Sequence, residues 1–214
     1  MALTTNQIHN LIGVDEVFKA PAKLMEILFN KSDREDLFKK FLKHETDMSY
    51  EWFMNYFEEE QADRKNKKQD FTPQAVSKML SKLCNGNSYF EVAAGTGSIM
   101  IQAWQEHRLN DNPLTYKPSN YWYHVEELSD RAIPFLLFNM LIRGMNGIVV
   151  HGDALTREIK NVYFIQNTND DYMSFSDLNV MPRSEMVGKE FNVRKWVGDG
   201  VEHIESSFID WRSK

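Results

Sequence analysis

A β-prone run and a glycine turn stand side by side at residues 89–98, which read Tyr89-Phe90-Glu91-Val92-Ala93-Ala94-Gly95-Thr96-Gly97-Ser98. The first half predicts a β-strand, and the segment from Ser98 to His107 predicts a helix. Glycines let a ligand come close to the backbone because no Cβ stands in the way. The start of a helix adds N–H groups and a partial positive charge. The segment therefore predicts a cradle for a nucleoside-bearing ligand, although a plain strand-to-helix connection has the same pattern.

Other segments predict alternating strands and helices on both sides of this turn. Upstream, Thr72 and Pro73 are favoured at the start of a helix, and Gly86 is suited to its end. Downstream, the pattern predicts the strands 121–125, 147–151 and 162–166 and the helix 129–143. This alternation predicts an α/β fold with a parallel sheet whose two faces are covered.

Acidic residues follow two of these strands, at the sheet edge where ligands bind. An acid after the second strand can accept both hydroxyls of a ribose, and Glu127 stands there. Because Glu126 stands beside Glu127, the alignment is ambiguous by one residue, and either acid can be the ribose acceptor. Asp153 after the third strand is placed either to accept from an adenine amine or to serve as a turn residue. Because the GxGxxG spacing of dinucleotide sites is absent, the set favours S-adenosylmethionine over a dinucleotide.

Four motifs in a fixed order carry a family resemblance: Phe71-Thr72-Pro73, the segment 91–98, Glu127 with Asn139, and Gly152-Asp153-Ala154-Leu155. With them the chain resembles the adenine-specific DNA methyltransferases, and most closely the methylation subunit of type I restriction-modification systems. The resemblance implies a Rossmann-like methyltransferase fold with S-adenosylmethionine as cofactor. It implies a cofactor site made of Phe71, Thr72, Pro73, Glu91, Ala93, Gly95, Thr96, Gly97, Ser98, Glu127, Leu128, Asp153 and Ala154.

One element of that family is missing. The family carries an Asn-Pro-Pro-aromatic loop after its fourth strand, which binds and stacks on the flipped target adenine. Here the corresponding place reads Asn167-Thr168-Asn169-Asp170, without a proline or an aromatic residue. Asn167 is the one catalytic candidate that remains. The same residues predict a hairpin turn whose return strand lies within 172–180. We therefore expect a methyltransferase fold that has lost its catalytic loop.

The first third of the chain predicts a separate part. We expect a helical N-terminal unit over 1–69 and a methyltransferase-like domain over 70–214, with its core in 70–166 and a divergent part in 167–214. Pro21 and a capping box at 32–35 predict two helices of the first unit. Its aromatic cluster of Trp52, Phe53, Tyr56 and Phe57 is either a docking face or a surface that packs on the sheet domain.

Composition and charge limit the location and the partners that we expect for this protein. The net charge of −6 provides no global basic field for nucleic acid. No secretory segment and no apolar run of membrane length occur, and the one cysteine, Cys84, excludes an internal disulfide. We expect a cytoplasmic protein without a membrane partner or a metal.

Three functions stay open at this point. The first is a degenerate S-adenosylmethionine-binding domain that is not active alone. The second is an adenine DNA methyltransferase that has an unorthodox loop or is completed by a partner. The third is a non-catalytic binding protein that regulates or counters a restriction-modification complex. DNA or a restriction-modification subunit is the expected partner.

Overall fold

The structure is a computed structural model that describes residues 3–54, 56, 86–112 and 115–204. The predicted motif Phe71-Thr72-Pro73 and the helix that it begins lie outside the described residues. So do Phe57, Cys84 and the proposed domain boundary at residue 70.

The described N-terminal residues 3–54 contain the helices α1 (Thr5–Ile12), α2 (Ala20–Phe29) and α3 (Lys31–Leu42). Pro21 lies in the first turn of α2, as the sequence predicts. Helix α3 begins earlier than predicted. The Asn30 side chain accepts a hydrogen bond from the Asp33 N–H (3.2 Å), so Asn30 is the N-cap and Ser32 lies inside the helix.

A mixed sheet of six strands forms the centre: β1 (Ser88–Val92), β2 (Trp122–Glu127), β3 (Gly147–Gly152), β4 (Glu158–Gln166), β5 (Asp177–Val180) and β6 (Lys195–Trp196). Their order is β1-β2-β3-β4-β5, with β6 beside β4. The pairs β1–β2, β2–β3 and β4–β6 are parallel. Helices α4 (Ser98–Asn110) and α5 (Ile133–Ile142) connect the first three strands, and α6 (Glu185–Glu190) follows β5. The α/β class with a mostly parallel sheet is confirmed.

The fourth strand departs from the predicted parallel arrangement, because β4 runs antiparallel to β3. It begins at Glu158, four residues before the predicted start, which leaves five residues after Gly152. A parallel crossover needs about a dozen residues or more, so this connection can only form a hairpin. Arg157 adopts a positive φ of 59° in that hairpin. The hairpin predicted after the fourth strand is confirmed, since β4 and β5 pair antiparallel, with β5 shorter than the predicted return strand.

One hydrophobic core joins the N-terminal helices to the sheet. Phe138 of α5 lies at its centre and contacts the rings of Phe38, Phe41 and Phe53 at centroid distances of 5.0, 4.8 and 5.1 Å. Trp52, Phe53 and Tyr56 are buried, so for these three of the four clustered aromatics the packing interpretation is confirmed.

The opposite face of the sheet is covered only in part. Val187 of α6 packs on Ile148 and Phe164, over β3 and β4. Over the first two strands, Phe90 is 61% exposed, Val92 47% and Trp122 38%. Within the described residues no helix crosses back over β1 and β2, so the predicted covering of both faces is seen only over β3 and β4.

Candidate cofactor site

The glycine turn is held in a conformation that few residues other than glycine adopt readily. After β1 the chain passes through positive φ at Ala93 (58°), Gly95 (59°) and Gly97 (93°). The Gly97 N–H donates to the Ala94 carbonyl at 2.9 Å and closes the turn. Gly97 is also the N-cap of α4, and it offers no side chain to cap the helix. The turn therefore presents the start of α4 at the carboxyl edge of the parallel strands.

Glu127 joins this turn to the end of β2. Its Oε2 accepts from the Gly95 N–H at 2.7 Å, and its Oε1 accepts from the Ser129 N–H at 2.7 Å. Glu126 points to the other face of the sheet and pairs with Arg157 at 2.6 Å. Burial alone would raise the pKa of Glu126, but contacts with His124 and Arg157 outweigh it and lower the pKa. Of the two acids, Glu127 is the one beside the glycines.

Glu91 is a second carboxyl group at this edge. The Tyr89 hydroxyl donates to its Oε2 at 2.8 Å. Burial raises the pKa of Glu91 to about 7, opposed by hydrogen bonds from Tyr89 and from the Met100 backbone and aided by the nearby charge of Glu127. At neutral pH this carboxyl group is divided between its acid and its anion, and a cation placed next to it would favour the anion.

Asp153 lies at the same sheet edge and forms part of the β3–β4 hairpin. Its Oδ1 accepts from the backbone N–H groups of Leu155 (2.7 Å) and Thr156 (3.2 Å), and these bonds lower its pKa. The turn role predicted as one alternative is therefore present. Ala154 is partly exposed beside it, and Leu128 is exposed after β2. Asp153 and Ala154 follow β3, and Leu128 follows Glu127 at the end of β2.

Asn167 is not brought to this edge. It follows β4, whose antiparallel course ends at the opposite edge of the sheet from the glycine turn. Its buried Nδ2 donates to the carbonyl oxygens of Gly144 (3.2 Å), Asp171 (2.8 Å) and Ser174 (3.1 Å). The Asn167 side chain thus serves the β4–β5 turn.

A buried polar network behind the turn was missed from the sequence, apart from Asn139. Asn139 of α5 donates to the Thr96 carbonyl at 2.8 Å and to Glu51 Oε1 at 3.0 Å. Arg143 donates to Asn139 Oδ1 at 2.8 Å. An acid inside the aromatic run from Tyr50 to Phe53 was the available signal, because a carboxyl group buried among aromatics needs polar partners.

The comparisons with known proteins identify one family. Residues 43–178 match the family model of the N-6 DNA methylases, which covers more than half of the chain. No curated protein matches the chain. Within the described ranges, no cluster of three His, Cys, Asp or Glu side chains is arranged to hold a metal ion. No helix in the same ranges is long and apolar enough to cross a bilayer.

Proposed function

Because the chain belongs to the N-6 DNA methylase family, we propose that its methyltransferase-like domain binds S-adenosylmethionine and does not transfer a methyl group to DNA by itself. The family generally uses this cofactor. The observation that carries the proposal is the pairing of the glycine turn with Glu127 at the carboxyl edge of β1 and β2. The finer relationship to type I restriction-modification systems is part of the proposal.

The geometry of the turn supports cofactor binding. A Cβ built on Gly95 meets no atom within 4 Å, so open space adjoins the turn where a ligand would lie. Each Glu127 oxygen accepts one backbone N–H, and a carboxylate oxygen has a second lone pair. Glu127 can therefore accept ribose hydroxyls without giving up its bond to Gly95. Glu91 lies at the end of β1, where it can balance a positive charge of the ligand.

Each element of the site has a separate role in this proposal. The cofactor, when bound, supplies an activated methyl group. The turn at Gly95 and Gly97 leaves room for its methionine end, Glu127 orients the ribose, and Asp153 accepts from the adenine amine. Phe71, Thr72 and Pro73 would complete the methionine end.

The direction of β4 supports the absence of catalysis. Transfer to adenine requires a base that is extruded, stacked and held by its amine. The place expected for those contacts is the turn after β4, which lies at the far edge of the sheet and contains no aromatic residue between Asn167 and Asp171. Asn167 Nδ2 is already bonded to three carbonyl oxygens.

A partner-completed methyltransferase is the second candidate, and one observation favours it. Phe90, Val92 and Trp122 leave an exposed apolar area on the face of β1 and β2 opposite Glu91 and Glu127. Such exposed apolar areas often mark protein contacts.

Titration calorimetry of the full chain with S-adenosylmethionine and with its demethylated product tests the proposal directly. We expect saturable binding of both compounds. A chain that binds neither at millimolar concentration would refute the function proposed here.

A further inference from the structure

We propose that Asn139 is a positioning residue that sets the glycine turn for its ligand, and that Glu51 and Arg143 hold the Asn139 amide in the required orientation. The inference rests on the proposed function, because the ligand concerned is S-adenosylmethionine or its product. It assigns a part in the cofactor site to the segment 48–53, which lies inside the family match but far from the glycine turn in sequence.

All the polar groups of the Asn139 side chain are engaged. Nδ2 donates to the Thr96 carbonyl at 2.8 Å and to Glu51 Oε1 at 3.0 Å. Oδ1 accepts from Arg143 Nη1 at 2.8 Å. A rotated amide would place Nδ2 against the Arg143 guanidinium and Oδ1 against two acceptors. The three partners therefore permit one orientation of the amide.

The Thr96 carbonyl is the point at which this network meets the turn. Thr96 lies between Gly95 and Gly97, which adopt φ angles of 59° and 93°. Because both are glycines, the backbone here could adopt many other conformations. Together with the bond from the Gly97 N–H to the Ala94 carbonyl, the hydrogen bond from Asn139 holds the peptide plane that joins Thr96 to Gly97. Ligand contacts with the turn depend on where its peptide groups point. A peptide plane that is not held in place must be ordered when the ligand binds, and this cost lowers the affinity.

The segment from Met48 to Phe53 anchors the other side of the network. Glu51 Oε1 also accepts from the Phe53 N–H at 2.9 Å. Arg143 Nε donates to the Met48 carbonyl at 3.0 Å, and its Nη2 donates to the Tyr50 carbonyl at 2.7 Å. Asn139, Arg143 and Glu51 are all buried. Removing one of them leaves buried partners without a hydrogen bond, which is costly in an environment of low polarity.

Two measurements on the full chain test the inference with Asn139→Ala. The first is hydrogen–deuterium exchange of the peptide that contains Gly95 and Gly97, without ligand. The second is the dissociation constant for the demethylated cofactor. We expect exchange at the turn to rise and the dissociation constant to rise by about tenfold or more, as for one buried hydrogen bond lost.

Asn167→Ala is the matched control. Asn167 is also buried and also donates to backbone carbonyl groups, but at the far edge of the sheet. It should lower the melting temperature without changing exchange at the glycine turn or the dissociation constant. Glu51→Gln should keep both near wild type because its amide oxygen still accepts from Asn139 and Phe53, whereas Glu51→Ala should behave like Asn139→Ala. If Asn139→Ala does not fold, the comparison of Glu51→Ala with Glu51→Gln tests the inference instead.

The outcomes separate the two claims. Faster exchange at the turn in Asn139→Ala and Glu51→Ala, with weaker binding and with normal values in Asn167→Ala and Glu51→Gln, supports the inference. Unchanged exchange at the turn overturns it, whatever the affinity. Faster exchange in a protein whose wild type binds neither form of the cofactor supports the positioning role and overturns the proposed function.

Discussion

The Glu127 carboxylate accepts the Gly95 N–H at 2.7 Å, across 32 residues of sequence. This bond joins the end of β2 to the turn that follows β1. It aligns two features that a nucleoside-bearing ligand needs next to each other, an open backbone and an acceptor for hydroxyl groups. It also decides between two adjacent acids, since Glu126 lies on the other face of the sheet with Arg157.

Replacing Glu127 by Ala should weaken the binding of S-adenosylmethionine by roughly 2–3 kcal/mol, because acceptors for two hydroxyl groups are lost. Glu126→Ala is the control and should bind the cofactor as the wild type does. Calorimetry gives both affinities, and thermal melting records the stability that each variant loses. Loss of binding in Glu126→Ala alone would mean that the ribose acceptor is the neighbouring acid.

Gly95→Val should abolish cofactor binding while the protein stays folded. A Cβ at Gly95 meets no protein atom within 4 Å, so the branched side chain would fill the open space next to the turn. The positive φ adds a backbone cost of about 1–2 kcal/mol. Gly198→Val is a matched control, because Gly198 has a φ of 65° and equally open surroundings away from the turn.

Gly97→Val should behave differently from Gly95→Val. A Cβ there comes within 2.8 Å of Met100 Cε and 2.9 Å of Leu136 Cδ1. The added side chain would displace buried atoms, so we expect the melting temperature to fall below that of Gly95→Val. Equal melting temperatures for the two variants would show that the packing around Gly97 adjusts freely.

Asp153→Asn should separate the turn role of Asp153 from its proposed ligand role. An amide oxygen can still accept from Leu155 and Thr156, so the melting temperature should stay near that of wild type. The amide nitrogen would face an adenine amine with a donor instead of an acceptor, so the dissociation constant for the cofactor should rise. If stability and affinity both remain unchanged, Asp153 is a turn residue only.

Stability should fall as the pH rises through the range set by Glu91. Its pKa is 4.5 as an ordinary side chain and about 7 in the folded protein, so between these values the folded state holds a proton that the unfolded state has released. Stability from this group is therefore complete below pH 4.5 and is lost as the pH passes 7, by about 3 kcal/mol in all. In Glu91→Gln the part of this decline that comes from Glu91 should be absent.

Thermal melts of both proteins from pH 4.5 to 8 measure that difference. Glu51 has the same upward shift in pKa, to about 7 through burial, and it contributes equally to both proteins. Glu126→Gln is the control of opposite sign, because the pKa of Glu126 is lowered in the folded protein. Parallel curves for wild type and Glu91→Gln would contradict the assignment.

The purified chain should not methylate adenine in DNA. Positioning of the reacting groups accounts for roughly 7–11 kcal/mol of a barrier, and a bound cofactor without a held base lacks it. Incubation of labelled S-adenosylmethionine with mixed-sequence duplex DNA gives the measurement. A parallel reaction contains extract from a restriction-proficient cell. Label in adenine with the chain alone would overturn the proposed loss of catalysis, and label only with extract would favour the partner-completed enzyme.

Local patterns along the chain were enough to predict much of the fold. The run into β1, the glycine turn and the start of α4 form a continuous segment, so hydrophobic period and glycine chemistry specify them without distant contacts. Pro21 and Gly144 likewise act on their own neighbours, at the first turn of α2 and just after α5. The rule that ligands bind beyond the carboxyl ends of parallel strands predicted that Gly95, Glu127 and Asp153 lie at the same edge of the sheet.

The direction of β4 was missed, although the predicted connection was already shorter than a parallel crossover needs. A start at Val162 leaves nine residues after Gly152, and the start at Glu158 leaves five. Among the missed residues, Ile159 is buried in a cluster with Val187 of α6. The antiparallel course then moved Asn167 away from the glycine turn.

By itself, therefore, the sequence determined the strand, turn and helix around Gly95 and Gly97, because these depend on backbone conformations and spacings within a few residues. Only the tertiary structure decided that Glu127 rather than Glu126 meets the turn, that Asn167 lies at the far edge, and that Glu51 supports Thr96 through Asn139. The physical reason is that burial and hydrogen-bond partners of polar groups are set by segments that are distant in sequence, which no local pattern encodes.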